Sequence, residues 1–205
     1  MALAGMKHYG YNELMAREQN TIKFLTQEEL KRLFKVIKSH SKRDYTIFYL
    51  AYRHGLRASE IGLLRVEDLD LKNYRIKIHR LKGSLDSIHP LDPKEVSLLK
   101  SYLRTRKDNL PVLFPSNRGT PISRITLYKK MRKYAEEAGI PKEKRHFHVL
   151  KHSIATHLLD AGADIMFVKD WLGHKNIQNT IIYSQLTSKT RDEQARRLFA
   201  SPQIV

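Results

Sequence analysis

Hydrophobic residues recur with helical spacing in the first part of the chain. Four of them occupy positions i, i+3, i+4 and i+7 after the capping box Thr26-Gln-Glu-Glu29: Leu30, Leu33, Phe34 and Ile37. This spacing predicts an amphipathic helix. A second helix is predicted over residues 44–54, where Gly55 supplies a left-handed stop, and a third over residues 58–64.

The period of the pattern changes to two between residues 65 and 91. Apolar and basic residues alternate in Tyr74-Arg-Ile-Lys-Ile-His79, which is typical of a strand with one buried face. The Lys-Gly-Ser sequence at residues 82–84 indicates a tight turn, followed by another strand over residues 85–91. With residues 65–71 as the first strand, the pattern predicts a small antiparallel sheet of about three strands.

Helical patterns return after the sheet and continue along most of the remaining chain. Asp92-Pro93 begins one helix, whose expected buried face is Val96, Leu99 and Leu103, and Ser123 begins another that ends near residues 139–141. Further helices are predicted at about 148–161, 164–172, 176–185 and 188–200. The fold class is therefore α+β, mainly α-helical, with residues 1–20 as a tail or arm and residues 21–205 as a single domain.

Charge narrows the class of partner. Lys and Arg number 38 against 21 Asp and Glu, which gives a net charge of +17 in 205 residues. A field of this strength indicates a polyanionic partner, of which nucleic acid is the commonest. The chain has no cysteine, which excludes a disulfide framework, a thiol nucleophile and a thiolate-ligated metal. No apolar run matches a membrane span or a secretory signal, so we expect a cytoplasmic protein.

Polar residues crowd the start of the third predicted helix. In Gly55-Leu-Arg57-Ala-Ser-Glu60, Arg57 follows the glycine stop and Glu60 lies one turn further on, within reach of its guanidinium. Such a pair can orient an arginine for two-pronged contact with phosphate oxygens. The alternative is an ordinary surface ion pair, and this segment alone leaves both interpretations open.

A second crowded segment begins near residue 146. His148, Lys151 and His152 lie one helical turn apart and therefore share a face. His148 and His152 have the i, i+4 spacing of zinc-binding helices, but Val149 stands where the HExxH pattern needs glutamate. We therefore predict no metal site.

Together these motifs resemble the tyrosine recombinase, or phage integrase, family. The resemblance covers about residues 24–190 and is most similar to the short single-domain members of the fimbrial phase-switch type, which implies no separate N-terminal core-binding domain. Its motifs follow in family order: the arginine box at residues 55–60, a hairpin lysine at Lys82, His148-x-x-Lys151-His152, Leu172-Gly-His174 and, nine positions later, Tyr183.

The resemblance implies a site-specific DNA recombinase that uses no cofactor and acts in integration, excision or inversion. Tyr183 would attack the scissile phosphate and form a 3′-phosphotyrosyl bond, which conserves the energy needed for rejoining. The other implied roles fall on the remaining motif positions: phosphate contact by Arg57 and His174, help in accepting the tyrosine proton by His148, protonation of the 5′ oxygen by Lys82, and positioning of Arg57 by Glu60.

Lys151 departs from the family, which usually has arginine at this position. Lysine keeps the charge but loses the planar grip on phosphate, so a non-catalytic or weakly catalytic DNA-binding protein with the same fold is the alternative. Each residue also has a structural interpretation: a core aromatic for Tyr183, a helix cap for His174, and satisfied structural histidines for His152 and His157.

The resemblance also implies partners. Double-stranded DNA is the expected substrate, bound by a homotetramer on two sites with exchange of the C-terminal helix, residues 188–200. The alternative for that helix is packing on its own domain. An accessory DNA-bending protein and association with the nucleoid complete the expectation, whereas the motifs specify neither the target sequence nor the type of rearrangement.

Overall fold

The computed structural model describes residues 22–81 and 84–184, together with positions 196, 199 and 200. Outside the described residues lie the predicted N-terminal tail, Lys82 and Gly83, and most of the helix predicted over residues 188–200. Within them the chain forms eight α-helices and a three-stranded antiparallel sheet, which confirms the α+β, mainly helical fold class. No helix in this described part is long and apolar enough to cross a bilayer.

The first three helices begin at the predicted caps. Helix α1 (Gln27–His40) has the reciprocal Thr26–Glu29 capping box, and α2 (Lys42–Arg53) is capped by Ser41 and followed by Gly55, whose φ is +58°. Helix α3 covers only Ala58–Ile61, so the prediction of a helix to residue 64 was wrong. The Leu64 carbonyl accepts a hydrogen bond from the Leu113 N–H instead, because the chain there turns toward the loop that precedes α5.

The sheet has the predicted alternation. Strands β1 (Leu69–Asp70), β2 (Arg75–Ile78) and β3 (Ser87–Pro90) are antiparallel in that order, and Ile76 lies opposite Leu69 and His89. The first strand is shorter than the predicted 65–71, because residues 66–68 form a 3-10 turn closed by Asp68, which accepts from the Arg65 N–H.

The remaining helices follow the predicted order. They are α4 (Pro93–Thr105), α5 (Arg124–Glu137), α6 (Val149–Asp160), α7 (Ile165–Trp171) and α8 (Gln178–Ser184). Capping by Asp92 and Ser123 is confirmed. On α4 the fully buried residue after Val96 and Leu99 is Tyr102, whereas Leu103 is only partly buried.

Two apolar clusters position the candidate site. The larger cluster packs α1 to α5 against the sheet and includes Val149 and Leu150 at the start of α6. The smaller cluster lies among α6, α7 and α8 and consists of Ile154, Ala155, Leu159, Val168, Leu172 and Tyr183. Because α6 contributes to both clusters, its first turns are fixed on two sides, and the predicted His148-x-x-Lys151-His152 motif lies on those turns.

Gly173→Ala should destabilise the protein more than Gly139→Ala does. Both glycines have a positive φ, +69° and +65°, so both alanines incur about 1–2 kcal/mol of backbone strain. A Cβ at Gly173 would also lie 2.9 Å from the Leu85 carbonyl oxygen and 3.1 Å from the Arg80 side chain, whereas at Gly139 it would meet nothing within 4 Å. Urea unfolding measures the difference, and equal losses in the two variants would contradict the tight contact at Gly173.

Candidate active site

A buried carboxylate, that of Glu60 on α3, lies at the centre of the site. It accepts hydrogen bonds from the backbone N–H and guanidinium of Arg57, from the guanidinium of Arg80 and from the Leu81 N–H, at 2.7 to 3.2 Å. Burial by itself would raise the pKa of Glu60, but these donors and the nearby positive charges outweigh it and lower that pKa. Glu60 is therefore a buried anion with paired oxygens.

Arg57 caps the start of α3 and points its guanidinium at Glu60. One guanidinium nitrogen lies 2.7 Å from Glu60 Oε1 and 3.2 Å from Ser84 Oγ. A quarter of the Arg57 side chain is exposed, while the Glu60 side chain is fully buried. The pair is thus not the ordinary surface ion pair of the alternative interpretation. The buried Glu60 carboxylate fixes the Arg57 guanidinium, and the exposed part of that side chain can contact a phosphate.

Arg80 is a site residue that the sequence motifs did not reveal. Its side chain is fully buried just after β2, and its guanidinium contacts Glu60 and three carbonyl oxygens, those of His54, Gly55 and Trp171. These bonds join the end of α2, the end of α7 and the start of α3. Position 80 continues the alternation that points Ile76 and Ile78 inward. An arginine at such an inward position needs a buried partner, and the sequence could have revealed Arg80 in this way.

Lys151 lies on the first turn of α6 and is almost fully buried. Its Nζ donates to the Leu172 carbonyl oxygen at 2.9 Å. Burial, with the positive charges of Arg80 and Arg57, lowers the pKa of Lys151 to about 6. The amine is therefore mostly neutral at pH 7, and it lies within electrostatic reach of both arginines.

Tyr183 on α8 is buried and has a histidine partner. Its hydroxyl lies 2.9 Å from His152 Nδ1, and burial raises the pKa of Tyr183 to about 12 although the charge of Arg57 opposes the rise. The rings of His148 and His152 meet edge to face at 4.5 Å. Among the described residues, the histidine that contacts the predicted nucleophile is His152, to which the motifs assign no catalytic role, and not His148.

His174 follows the glycine at the end of α7 and faces α8. Its Nδ1 lies 3.0 Å from the Thr180 hydroxyl. Burial and then the positive charges of Lys151 and Arg57 lower the pKa of His174 to about 3, and similar causes lower that of His148 to about 4. Both imidazoles are neutral at pH 7, so each has one N–H that can donate to a phosphate oxygen.

The structure thus brings together the predicted residues that it describes: Arg57, Glu60, His148, Lys151, His174 and Tyr183. Lys82 lies outside the described residues, and its place stays a prediction. The residues on either side of the gap, Leu81 and Ser84, hydrogen bond to Glu60 and Arg57. In the described part of the chain no cluster of three histidine or acidic side chains has the arrangement of a metal site.

Comparison with known proteins places this chain in one family. The sequence profile of the phage integrase family matches residues 23–190. The chain is 39% identical over 167 residues to the type 1 fimbriae regulatory protein FimB of Escherichia coli K12, which covers 78% of this chain and 83% of the relative. It is 36% identical over 203 residues to the tyrosine recombinase XerA of Pyrococcus furiosus, and this match covers 95% of this chain and 70% of the relative.

Solved structures agree with the sequence relatives. The crystal structure of XerA recombinase superposes with a TM-score of 0.72 at 31% identity, covering 88% of this chain and 63% of that one. A second structure is the post-cleavage complex of XerH site-specific recombinase bound to palindromic difH substrate. It superposes with a TM-score of 0.74 at 26% identity, and the match covers 89% of this chain and 55% of that one. The chain therefore spans somewhat more than half the length of these solved recombinases.

Arg80→Lys should lower the free energy of unfolding by about 2 kcal/mol or more. A lysine has three donors for the four acceptors that Arg80 now contacts, and each buried group left unsatisfied costs about 1–3 kcal/mol. Arg75→Lys is the matched control, because Arg75 is exposed on β2. Chemical denaturation of both variants gives the comparison, and a loss no greater than that of Arg75→Lys would show that Arg80 does not position Glu60.

Proposed function

Because this chain belongs to the phage integrase family of tyrosine-type site-specific recombinases, we propose that it cleaves and rejoins DNA strands through Tyr183. The observation that carries the assignment is the Tyr183 hydroxyl, buried 2.9 Å from a neutral imidazole nitrogen and within electrostatic reach of Arg57. A nucleophile, a proton acceptor and a cation for phosphate are thus present together, as phosphoryl transfer requires.

Cleavage would proceed by attack of the Tyr183 oxygen on the scissile phosphorus. The bond from phosphorus to the 5′ oxygen breaks, leaving a 3′-phosphotyrosyl link and a free 5′-hydroxyl. In our assignment Lys82 supplies the proton to the departing 5′ oxygen. Attack by the 5′-hydroxyl of another strand reverses these steps and joins the new pair, since the phosphodiester energy is retained in the tyrosyl bond.

The negative charge that builds on the non-bridging oxygens would be met by Arg57 and His174. Arg57 needs no reorganisation, because Glu60 and Ser84 already hold its guanidinium in place while one side is exposed. The His174 ring is likewise held, by its contact with Thr180. Glu60 acts through Arg57 and is a positioning residue.

We propose that the Lys151 amine becomes protonated when phosphate binds. In the free protein its proton is disfavoured by burial and by two neighbouring arginines. A bound phosphate brings negative charge that raises the pKa of this amine. Lys151 would therefore take up a proton on binding and add a cation to the site only when its counter-charge is present.

Related proteins have been solved as complexes: the Tn1549 transposon integrase with a circular intermediate DNA, and XerH with its palindromic difH substrate. The net charge of +17 suits phosphate contacts and predicts steeply salt-dependent binding. We extend the proposal to four copies on two DNA sites, linked by the helix predicted over residues 188–200, with an accessory DNA-bending protein. Such a complex would act in the cytoplasm, on the nucleoid.

Tyr183→Phe should abolish covalent attachment to DNA while leaving DNA affinity close to that of the wild type. The protein is incubated with negatively supercoiled plasmids carrying DNA from the encoding organism, stopped with denaturant and analysed for protein joined to DNA. Tyr128→Phe, which changes a half-exposed tyrosine on α5, is the control and should retain the adduct. An adduct that persists in Tyr183→Phe would refute the assignment. Binding without an adduct in the wild type would favour the non-catalytic alternative.

Lys151→Arg should flatten the pH dependence of binding to the cleavage site. In the wild type the Lys151 pKa of about 6 lies below the working pH, so binding takes up a proton and affinity falls as the pH rises from 6 to 8. The fall approaches about tenfold per pH unit for one proton. Arginine stays charged over this range. Dissociation constants at fixed salt provide the test, and equal slopes would show that Lys151 does not change its protonation.

A further inference from the structure

The contact between Tyr183 and His152 defines which atom can receive a proton. The Tyr183 hydroxyl and His152 Nδ1 are 2.9 Å apart, and the two rings are tilted by 49° with centroids 5.7 Å apart. A neutral imidazole has one accepting nitrogen and one N–H. If the hydroxyl donates to Nδ1, the imidazole proton is on Nε2, and Nδ1 has the lone pair that a general base requires.

His152 is fixed between two groups of the site. It follows Lys151 on α6, one turn after His148, and its ring contacts that of His148 at 4.5 Å on one side and Tyr183 on the other. His152 lies inside the continuous helix Val149–Asp160, and the Thr156 hydroxyl donates to its carbonyl oxygen. Among the described residues, the ring contacts therefore connect His148 to Tyr183 through His152.

Burial, helped by the charges around His152, keeps this imidazole neutral. Burial, followed by the surrounding imidazoles and amine, lowers the pKa of His152 to about 3, while burial raises the pKa of Tyr183 to about 12. The proton therefore stays on Tyr183 until its oxygen begins to bond to phosphorus and becomes acidic. The titratable or charged groups that act on this pair lie at or just before the start of α6, after α7 and just before α3: His146, His148, Lys151, His174 and Arg57.

We propose that His152, not His148, accepts the Tyr183 proton during strand cleavage. This assignment rests on the proposed function of Tyr183 as the nucleophile. As the bond from the Tyr183 oxygen to phosphorus forms and the bond to the 5′ oxygen breaks, the phenolic proton moves to His152 Nδ1 and gives an imidazolium. When a 5′-hydroxyl attacks the phosphotyrosine, His152 returns that proton to the departing Tyr183 oxygen.

The first test needs no DNA. Nitrogen NMR of the full chain with labelled histidine identifies the protonated ring nitrogen of each imidazole, and His152→Gln assigns the signal. We expect His152 to be neutral at pH 7 with the proton on Nε2. A proton on Nδ1 would mean that His152 donates to the Tyr183 oxygen, and that result would overturn the proposal.

The second test measures single-turnover cleavage of the site identified by sequencing trapped adducts. Replacing His152 by glutamine keeps a side chain that can hydrogen bond but not one that takes up a proton, so cleavage should slow by about 10²- to 10⁴-fold with little change in DNA affinity. His157→Gln is the matched control, because His157 lies on the same helix and contacts Tyr52 instead. A His152→Gln rate equal to that of the control would overturn the proposal.

A sulfur atom in place of the 5′ bridging oxygen distinguishes protonation of the leaving group from deprotonation of the nucleophile. The thiolate leaves without a proton, so this substrate should restore cleavage by Lys82→Ala but not by His152→Gln. Recovery of His152→Gln would place His152 on the leaving-group side and overturn the assignment. If the wild type forms no adduct with any DNA, the proposed function itself fails. That outcome is distinct from one in which wild type cleaves and His152→Gln cleaves equally well.

Discussion

The Glu60 carboxylate is the constraint on which the rest of the site depends. An anion without contact to water is stable only when its oxygens are paired, and here the partners come from Arg57, Arg80 and the backbone of Leu81. Those partners belong to different parts of the fold, because Arg80 also binds carbonyl groups at the ends of α2 and α7. Satisfying one carboxylate therefore fixes the start of α3, the end of β2 and the segment that leads to His174.

The same arrangement explains why Lys151 and the histidines of the site are neutral although each could be charged. Burial lowers the pKa of Lys151 and of the neighbouring histidines, and the positive field left uncompensated by a single carboxylate among two arginines and Lys151 lowers these pKa values further. Additional cations at this site would repel one another. A phosphate removes that penalty, since its charge favours each protonated form. Under the proposed function the site is thus most strongly cationic when DNA is bound, and the fixed arginine provides the preorganised part of the attraction.

Sequence patterns predict the parts of this fold that local interactions determine. The capping boxes at Thr26 and Asp92 and the alternation along β2 depend on residues a few positions apart, and the structure confirms them. The early end of α3 could not be predicted, because it follows from pairing of Leu64 and Arg65 with a distant loop. The start of β1 was predicted wrongly for a local reason, the 3-10 turn that Asp68 closes. In the site, the Arg57–Glu60 spacing predicted a pair but not its burial. The partner of His152 depends on the packing of α8 against α6, which no motif specifies.

Helix α8 couples Tyr183, the proposed nucleophile, to His174, the proposed phosphate-binding group. Tyr183 contacts His152 from this helix, and Thr180, one turn earlier, contacts His174. Both are buried, so apolar packing against α6 and α7 fixes the two contacts together. Any displacement of α8 large enough to free the Tyr183 hydroxyl from His152 must also alter the support of His174. In the proposed mechanism, the position of this one short helix therefore determines whether the attacking Tyr183 oxygen and His174 are aligned at the same time, as strand cleavage requires.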